Sequence, residues 1–144
     1  MHRFSGCVVK FPSAQHIIRY TAGIVELDEL LSTLVNDVDG ALGAAIGGMD
    51  GLLIEQYAAD SSLNLDTIIA EHANILKSIK AAYSASLTAG NVTEILITAE
   101  QIMGFTKEVT SEFFLTIILE PKGNVGKARL LGQQAAGRIR EVVS

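Results

Sequence analysis

The sequence predicts an α+β fold: a three-layer α/β/α sandwich around a five-stranded antiparallel sheet, in the order α-β-β-α-β-β-β-α. Three observations predict it. Apolar residues recur at three- and four-residue spacing in three separate stretches, the period of a helix with one buried face. Asp50-Gly51 stands between two apolar runs, as in a β-hairpin turn. Three short runs rich in β-branched and aromatic residues then follow between Val92 and Leu119, with only turn-sized gaps.

The first helix is expected from Ile24, where Ile24, Leu27, Leu31, Leu34 and Val38 mark one face and Thr21 stands at the N-cap position. Asp39-Gly40 ends it. Ala41 to Gly47 and Leu52 to Tyr57 are the two strands of the hairpin, and the glycines of the first strand require another element to pack closely on its backbone. A long helix is expected from Leu65 to Thr88, capped by Asn64 or Asp66 and followed by Gly90. Strands follow at Val92 to Ala99, Ile102 to Val109 and Glu112 to Leu119. The last is apolar on both faces, which places it centrally, covered on both sides. Pro121 and Gly123 break the chain before a final helix from Val125 to Val143, whose apolar arc is Ala128, Leu131, Ala135, Ile139 and Val142.

Composition narrows the function. The chain has 144 residues, 49% hydrophobic and 19% charged, with a formal net charge of −5, and a mean hydropathy of +0.35. One domain with a substantial core and a partner is expected, and a general nucleic-acid binder is not. A single cysteine excludes an internal disulfide framework, and no apolar run is long enough to span a bilayer, so a cytoplasmic protein is expected. Residues 1–22 carry Arg3, Lys10 and Arg19 without an acid. They are therefore +3 and the remainder is −8. They are set apart as a basic N-terminal arm, with Phe4, Cys7-Val8-Val9 and Phe11 as a candidate strand, and residues 23–144 as the domain.

The long helix is the most informative segment. Leu65, Ile68, Ile69, Leu76, Ile79, Tyr83 and Leu87 cover nearly half its circumference and are expected to pack on the sheet. The other half holds only Glu71 and Lys77 as charges, with Asn74, Ser78, Ala81, Ala85 and Thr88 spaced 4-3-4-3 along its centre. Small residues at that spacing admit a second helix at close range, and charge depletion is what interface centres show. A plain solvated face has the same residue types.

Catalytic and cofactor patterns are missing. The glycines around Gly47 lack a dinucleotide or phosphate-loop spacing, and Gly123-Asn124-Val125-Gly126-Lys127 lacks the required hydroxyl, so a strand-to-helix turn explains it better than anion binding with Lys122 and Lys127. His2, His16 and His72 have no second metal ligand at helical or turn spacing, and His72 is read as a packed or interface residue. Cys7 has no partner. Glu100, Glu108, Glu112 and Glu120 lie around strand ends, where carboxylates solvate turns. No catalytic residue, cofactor or metal is expected.

The element order and several strings resemble the Roadblock/dynein light chain family, closest to its bacterial gliding-motility (polarity) branch. Gly43-Ala44-Ala45-Ile46-Gly47-Gly48-Met49-Asp50-Gly51-Leu52-Leu53-Ile54 is similar to that family's first hairpin. Leu65-Asp66-Thr67, Val125-Gly126-Lys127-Ala128-Arg129-Leu130-Leu131-Gly132 and Ala135-Ala136 resemble the gliding branch. The resemblance covers about residues 24–143, and residues 1–22 match no motif.

It implies a dimer in which the strand holding Thr93, Ile95 and Ile97 pairs with its mate and the long helices lie side by side. It also implies a small Ras-like GTPase as partner, docked on those helices. The expected function is a homodimeric, non-enzymatic, GTPase-activating regulator, with Glu71, Asn74, Lys77, Ser78, Ala81, Ala85 and Thr88 serving dimer or partner. The alternative is a dimeric scaffold that recruits a GTPase or another protein without changing its turnover. An enzyme or small-molecule sensor is disfavoured, because no polar residues converge.

Overall fold

The computed structural model describes residues 14–144, with side chains from Glu26 onward. Helix α1 is Ala14–Asp37. It begins ten residues before Ile24, so the expected start and the Thr21 cap are corrected. The overlooked signal is Pro12-Ser13, a proline and a capping-type residue just ahead of Ala14. The helix therefore crosses the boundary drawn at residue 22, and the candidate strand between Phe4 and Phe11 lies outside the described residues. Leu27, Leu31 and Leu34 of α1 and Val38 just past its end are buried, as the spacing predicts, and Val35 joins them.

Strands β1 (Ala41–Gly48) and β2 (Leu53–Ala58) form the hairpin. Gly51 at its turn has φ 88°, a value glycine adopts without the steric cost of a side chain. The Asp50 carboxylate accepts the Leu52 N–H at 3.1 Å, closing the turn. A methyl group at Gly47 would stand 2.6 Å from Ile69 Cγ2 and 2.9 Å from Phe114 Cζ. The close approach expected on the first strand is that of helix α2, Leu65–Ala81.

Strands β3 (Glu94–Thr98), β4 (Met103–Glu108) and β5 (Phe113–Leu119) complete a sheet of order β2-β1-β5-β4-β3, antiparallel throughout. β5 is central, and Phe114 to Leu119 are buried on both faces. Helix α3 is Val125–Val143, started by Asn124, whose side chain accepts the Lys127 N–H at 3.0 Å.

The layers follow from which side chains meet. Leu31 and Val35 of α1 and Ala128 and Ile139 of α3 share a core with Ile46, Phe105 and Ile117 on one face of the sheet. Leu65, Ile69, Ala73 and Leu76 of α2 share another with Ala45, Phe114 and Ile118 on the opposite face. One face thus carries two helices and the other a single helix, which leaves the β3 side of the α2 face thinly covered.

Candidate functional site

Helix α2 owes its position to its ends and its buried stripe. Asn64 accepts the Thr67 N–H at 3.2 Å, and Asp66 places a negative charge in the first turn, where the helix dipole favours it. The 4-4-3 spacing of Leu65, Ile69, Ala73 and Leu76 holds one face on the sheet, so residues half a turn away point to solvent. Glu71, Asn74, Lys77, Ser78 and Ala81 are all exposed there.

Beyond Ala81 the helix changes. Ala82–Ser86 form a π-helical turn with no buried residue, and the Leu87 N–H bonds the Ala82 carbonyl at 3.0 Å. The expected α-helix to Thr88 is therefore corrected. Tyr83 and Leu87, expected on the sheet, are 46% and 59% exposed. The wider turn breaks the 100° step that would aim them inward, and the segment has no core beneath it. Ala85 and Thr88 are exposed on this segment, and Thr88 has the left-handed φ of 50°.

A polar clamp fixes the chain between the π-turn and β3. Lys80 follows Leu76 by four residues, so it is in phase with the buried stripe and needs acceptors there. Its ammonium donates to Asn91 Oδ1 at 2.6 Å, to the Val92 carbonyl at 3.1 Å and to the Glu108 carboxylate. Asn91 Nδ2 donates to the same carboxylate at 2.8 Å. Glu108 is thus an ion-pair partner, not the turn-solvating carboxylate expected.

His72 is half-buried between α2 and β4. Its Nδ1 lies 2.8 Å from Thr106 Oγ1, which lies 2.8 Å from Thr116 Oγ1 in the interior. Burial holds the imidazole below its ordinary pKa, since the charged ring loses its hydration there. Thr106 and Thr116 are fully buried, and their mutual hydrogen bond satisfies them. Sequence reasoning placed His72 as a packed or interface residue but missed this chain, whose signal is a threonine in the middle of the otherwise apolar β5, paired with Thr106 of β4.

Among the described residues, strand β3 is an edge of the sheet. Ile95 and Ile97 stand opposite Thr106 and Gly104 of β4, so they lie on the α2 face, and both are half-buried. Thr93 precedes the strand and is exposed. Leu96 faces the other side and is 49% exposed. On α2, Ile68, His72, Ile75 and Ile79 are three and four residues apart and form one stripe. His72 reaches β4, so this stripe flanks β3, and its isoleucines are half-buried. Ile75 was missed, although it completes the stripe begun by Ile68 and Ile79. The predicted residues therefore fall in two groups: Asn74, Ser78 and Ala81 point outward, whereas Ile95 and Ile97 line the shallow floor between α2 and the sheet edge.

Among the described residues, no helix is long and apolar enough to cross a membrane, and no cluster of acidic, histidine or cysteine side chains has the makings of a metal site. What this surface offers, among the described residues, is a strand edge with no pairing strand beside a charge-poor helix face.

No curated protein matches the sequence significantly. Solved structures do. MglC from Myxococcus xanthus is 30% identical over 78% of this chain and 95% of its own, with a TM-score of 0.57. MglB from Myxococcus xanthus is 13% identical over 94% and 93%, with a TM-score of 0.70. An MglB with tetrameric arrangement is 19% identical over 92% of each chain, with a TM-score of 0.72. The family model of the Roadblock/LC7 domain matches residues 27–119, from the first buried leucine of α1 to the end of the central strand. The chain belongs to the Roadblock/LC7 domain family.

Proposed function

We propose that this chain is a homodimeric, non-enzymatic regulator of a prokaryotic small Ras-like GTPase, and that it accelerates GTP hydrolysis by docking the GTPase on α2. The observation that carries the reading is the placement of the charge-poor outer face of α2 beside the edge of β3, which no described strand pairs. An open edge is a template for another strand. Pairing of two β3 edges would extend the sheet and cover Ile75, Ile79, Ile95 and Ile97 with their counterparts. That assigns Ile95, Ile97 and Thr93 to self-association, and leaves Glu71, Asn74, Lys77, Ser78 and Ala81 facing out on paired helices as the docking platform. The likeness to MglB and MglC supports the assignment to gliding-motility regulation, and one MglB takes a tetrameric arrangement.

The mechanism follows from what α2 lacks. It presents lysine but no arginine, so no transition-state charge is neutralised by a finger from this helix. Acceleration then comes from binding the GTPase more tightly in its hydrolysis-competent arrangement, which shifts its population toward that state. The test is GTP turnover by a small Ras-like GTPase of the same organism, with and without this protein. Faster turnover is expected. Binding without acceleration would replace the regulator with a recruiting scaffold, and no binding would remove the GTPase from the account.

A further inference from the structure

A cleft of about 450 Å³ opens at one end of the sheet, where the β1–β2 and β4–β5 turns meet the first turn of α2. Leu53, Ile54 and Phe113 give it an apolar floor, and Leu52 stands 59% exposed at its mouth. Asp50, Asp66 and Glu112 line its rim, and none of them makes an ion pair among the described residues. Apolar surface ringed by one sign of charge fits an apolar group flanked by the opposite charge.

The start of α3 presents that complement. Leu130 is 57% exposed there. Lys127 precedes it by three residues, on the adjoining turn of the same side, and Lys122 lies in the turn that leads into the helix. Among the described residues, Lys80, Lys107, Arg129 and Arg138 make ion pairs and Arg140 donates to a carbonyl. Lys122 and Lys127 do neither, and both are exposed. They also stand against the helix dipole: α3 has no acidic residue in its first turn, where negative charge is favoured. A carboxylate from outside would serve both lysines and the helix end.

The two surfaces cannot meet within one chain. β5 runs from Phe113 at the cleft to Leu119 just before the Lys122 turn. Six residue steps of strand span about 20 Å. α3 also covers the face of the sheet opposite α2. Cleft and helix start therefore meet only between copies, head to tail.

We propose that the cleft takes the start of α3 from a second copy of the chain, with Leu130 on its floor and Lys122 and Lys127 against Asp50, Asp66 and Glu112. A contact between two different patches leaves one of each open, so it builds rings or open chains of copies. It uses neither β3 nor the Asn74 to Ala81 face of α2, so it rests on neither the proposed dimer nor the GTPase. Its apolar centre is a single leucine, which makes it a weak contact that forms at high local concentration.

The full-length protein should sediment with a mean mass that climbs with concentration at low ionic strength. Most of the climb should vanish as salt shortens the screening length from about 30 Å at about 0.01 M to about 3 Å at about 1 M. Rising concentration should shift the amide signals of Met49 to Leu53 and Ser111 to Phe113 together with those of Lys122 to Leu130. Asp66→Lys with Glu112→Lys should abolish the climb, and so should Lys122→Glu with Lys127→Glu. Each variant repels its own kind. Mixed together they should associate again, because the reversed cleft of one meets the reversed helix start of the other. These positions are all exposed, and unchanged circular dichroism checks that the fold is kept. Leu130→Ser, which leaves every charge in place, should weaken the association. Leu96→Lys on the β3 edge should leave the climb in place, which separates this contact from the proposed dimer. A mass that stays constant with concentration at low salt would overturn the proposal. So would a mixture of the two reversed variants that fails to associate, or amide shifts on the outer face of α2 or between α1 and α3 in place of these two ends.

Discussion

The Nδ1 atom of His72 lies 2.8 Å from Oγ1 of Thr106, and the ring edge fits against Gly104 so closely that a methyl group there would stand 2.8 Å from Cε1. Helix α2 and strand β4 therefore meet through a histidine seated in a glycine notch. The ring is held neutral by burial, and that has a consequence for pH. The unfolded chain binds the proton near the ordinary imidazole value, about 6.5, whereas the folded chain resists it. The stabilisation is fully present above that value and is lost as pH falls below it. The drop in melting temperature between neutral and mildly acidic solution should be smaller in His72→Asn than in the native chain. Equal drops would show that His72 does not contribute to the pH dependence.

Two glycines should respond in opposite directions. Gly47 faces Ile69 and Phe114 at distances no added carbon can accept, so Gly47→Val should cost about 1–3 kcal/mol through overpacking. Gly137 has open space around it within α3, so Gly137→Ala should gain roughly 0.5–1 kcal/mol. Denaturant unfolding of both variants checks the pair.

Lys80 and Glu108 are mostly buried, with side chains 20% and 16% exposed. Lys80→Ala leaves the carboxylate short of its cation and should cost about 1–3 kcal/mol, with faster hydrogen exchange along residues 87–93. The joint change Lys80→Met with Glu108→Leu should recover much of that stability, because no charge is then stranded.

On the proposed function, in which the chain is a dimer that docks a GTPase, self-association and partner docking should separate by mutation. Leu96→Lys places a charge on the open β3 edge, where Leu96 is half-exposed, and should turn the dimer into a monomer in light scattering. Ala81→Glu lies on the outward stripe and should leave the dimer intact while abolishing GTPase binding in a pull-down. Loss of the dimer in Ala81→Glu would move that stripe to the self-interface.

Much of the fold was legible because its signals are local. The Asp50-Gly51 hairpin, the largely apolar Phe113 to Leu119 strand and the last helix from Val125 to Val143 all stand where the sequence places them. Each depends on a turn residue or on a period shorter than the element. The start of α1 was missed because a basic composition was read as an arm, while the starting signal Pro12-Ser13 passed unused. The end of α2 was missed for a different reason. Periodicity carries a helix onward as long as apolar residues recur, but Tyr83 and Leu87 have no core beneath them, and only the assembled sheet reveals that.

The candidate surface divides in the same way. By itself the sequence determined which helix is short of charge and which residues lie along its open face, because burial leaves a periodic record in one dimension. Three things were decided only in three dimensions: that β3 is an edge, that Ile75 and Ile79 flank it, and that Lys80 closes on Glu108 from 28 residues away. Strand order and long-range ion pairs depend on which distant segments become neighbours, and that is settled when the two cores on either side of β5 close together.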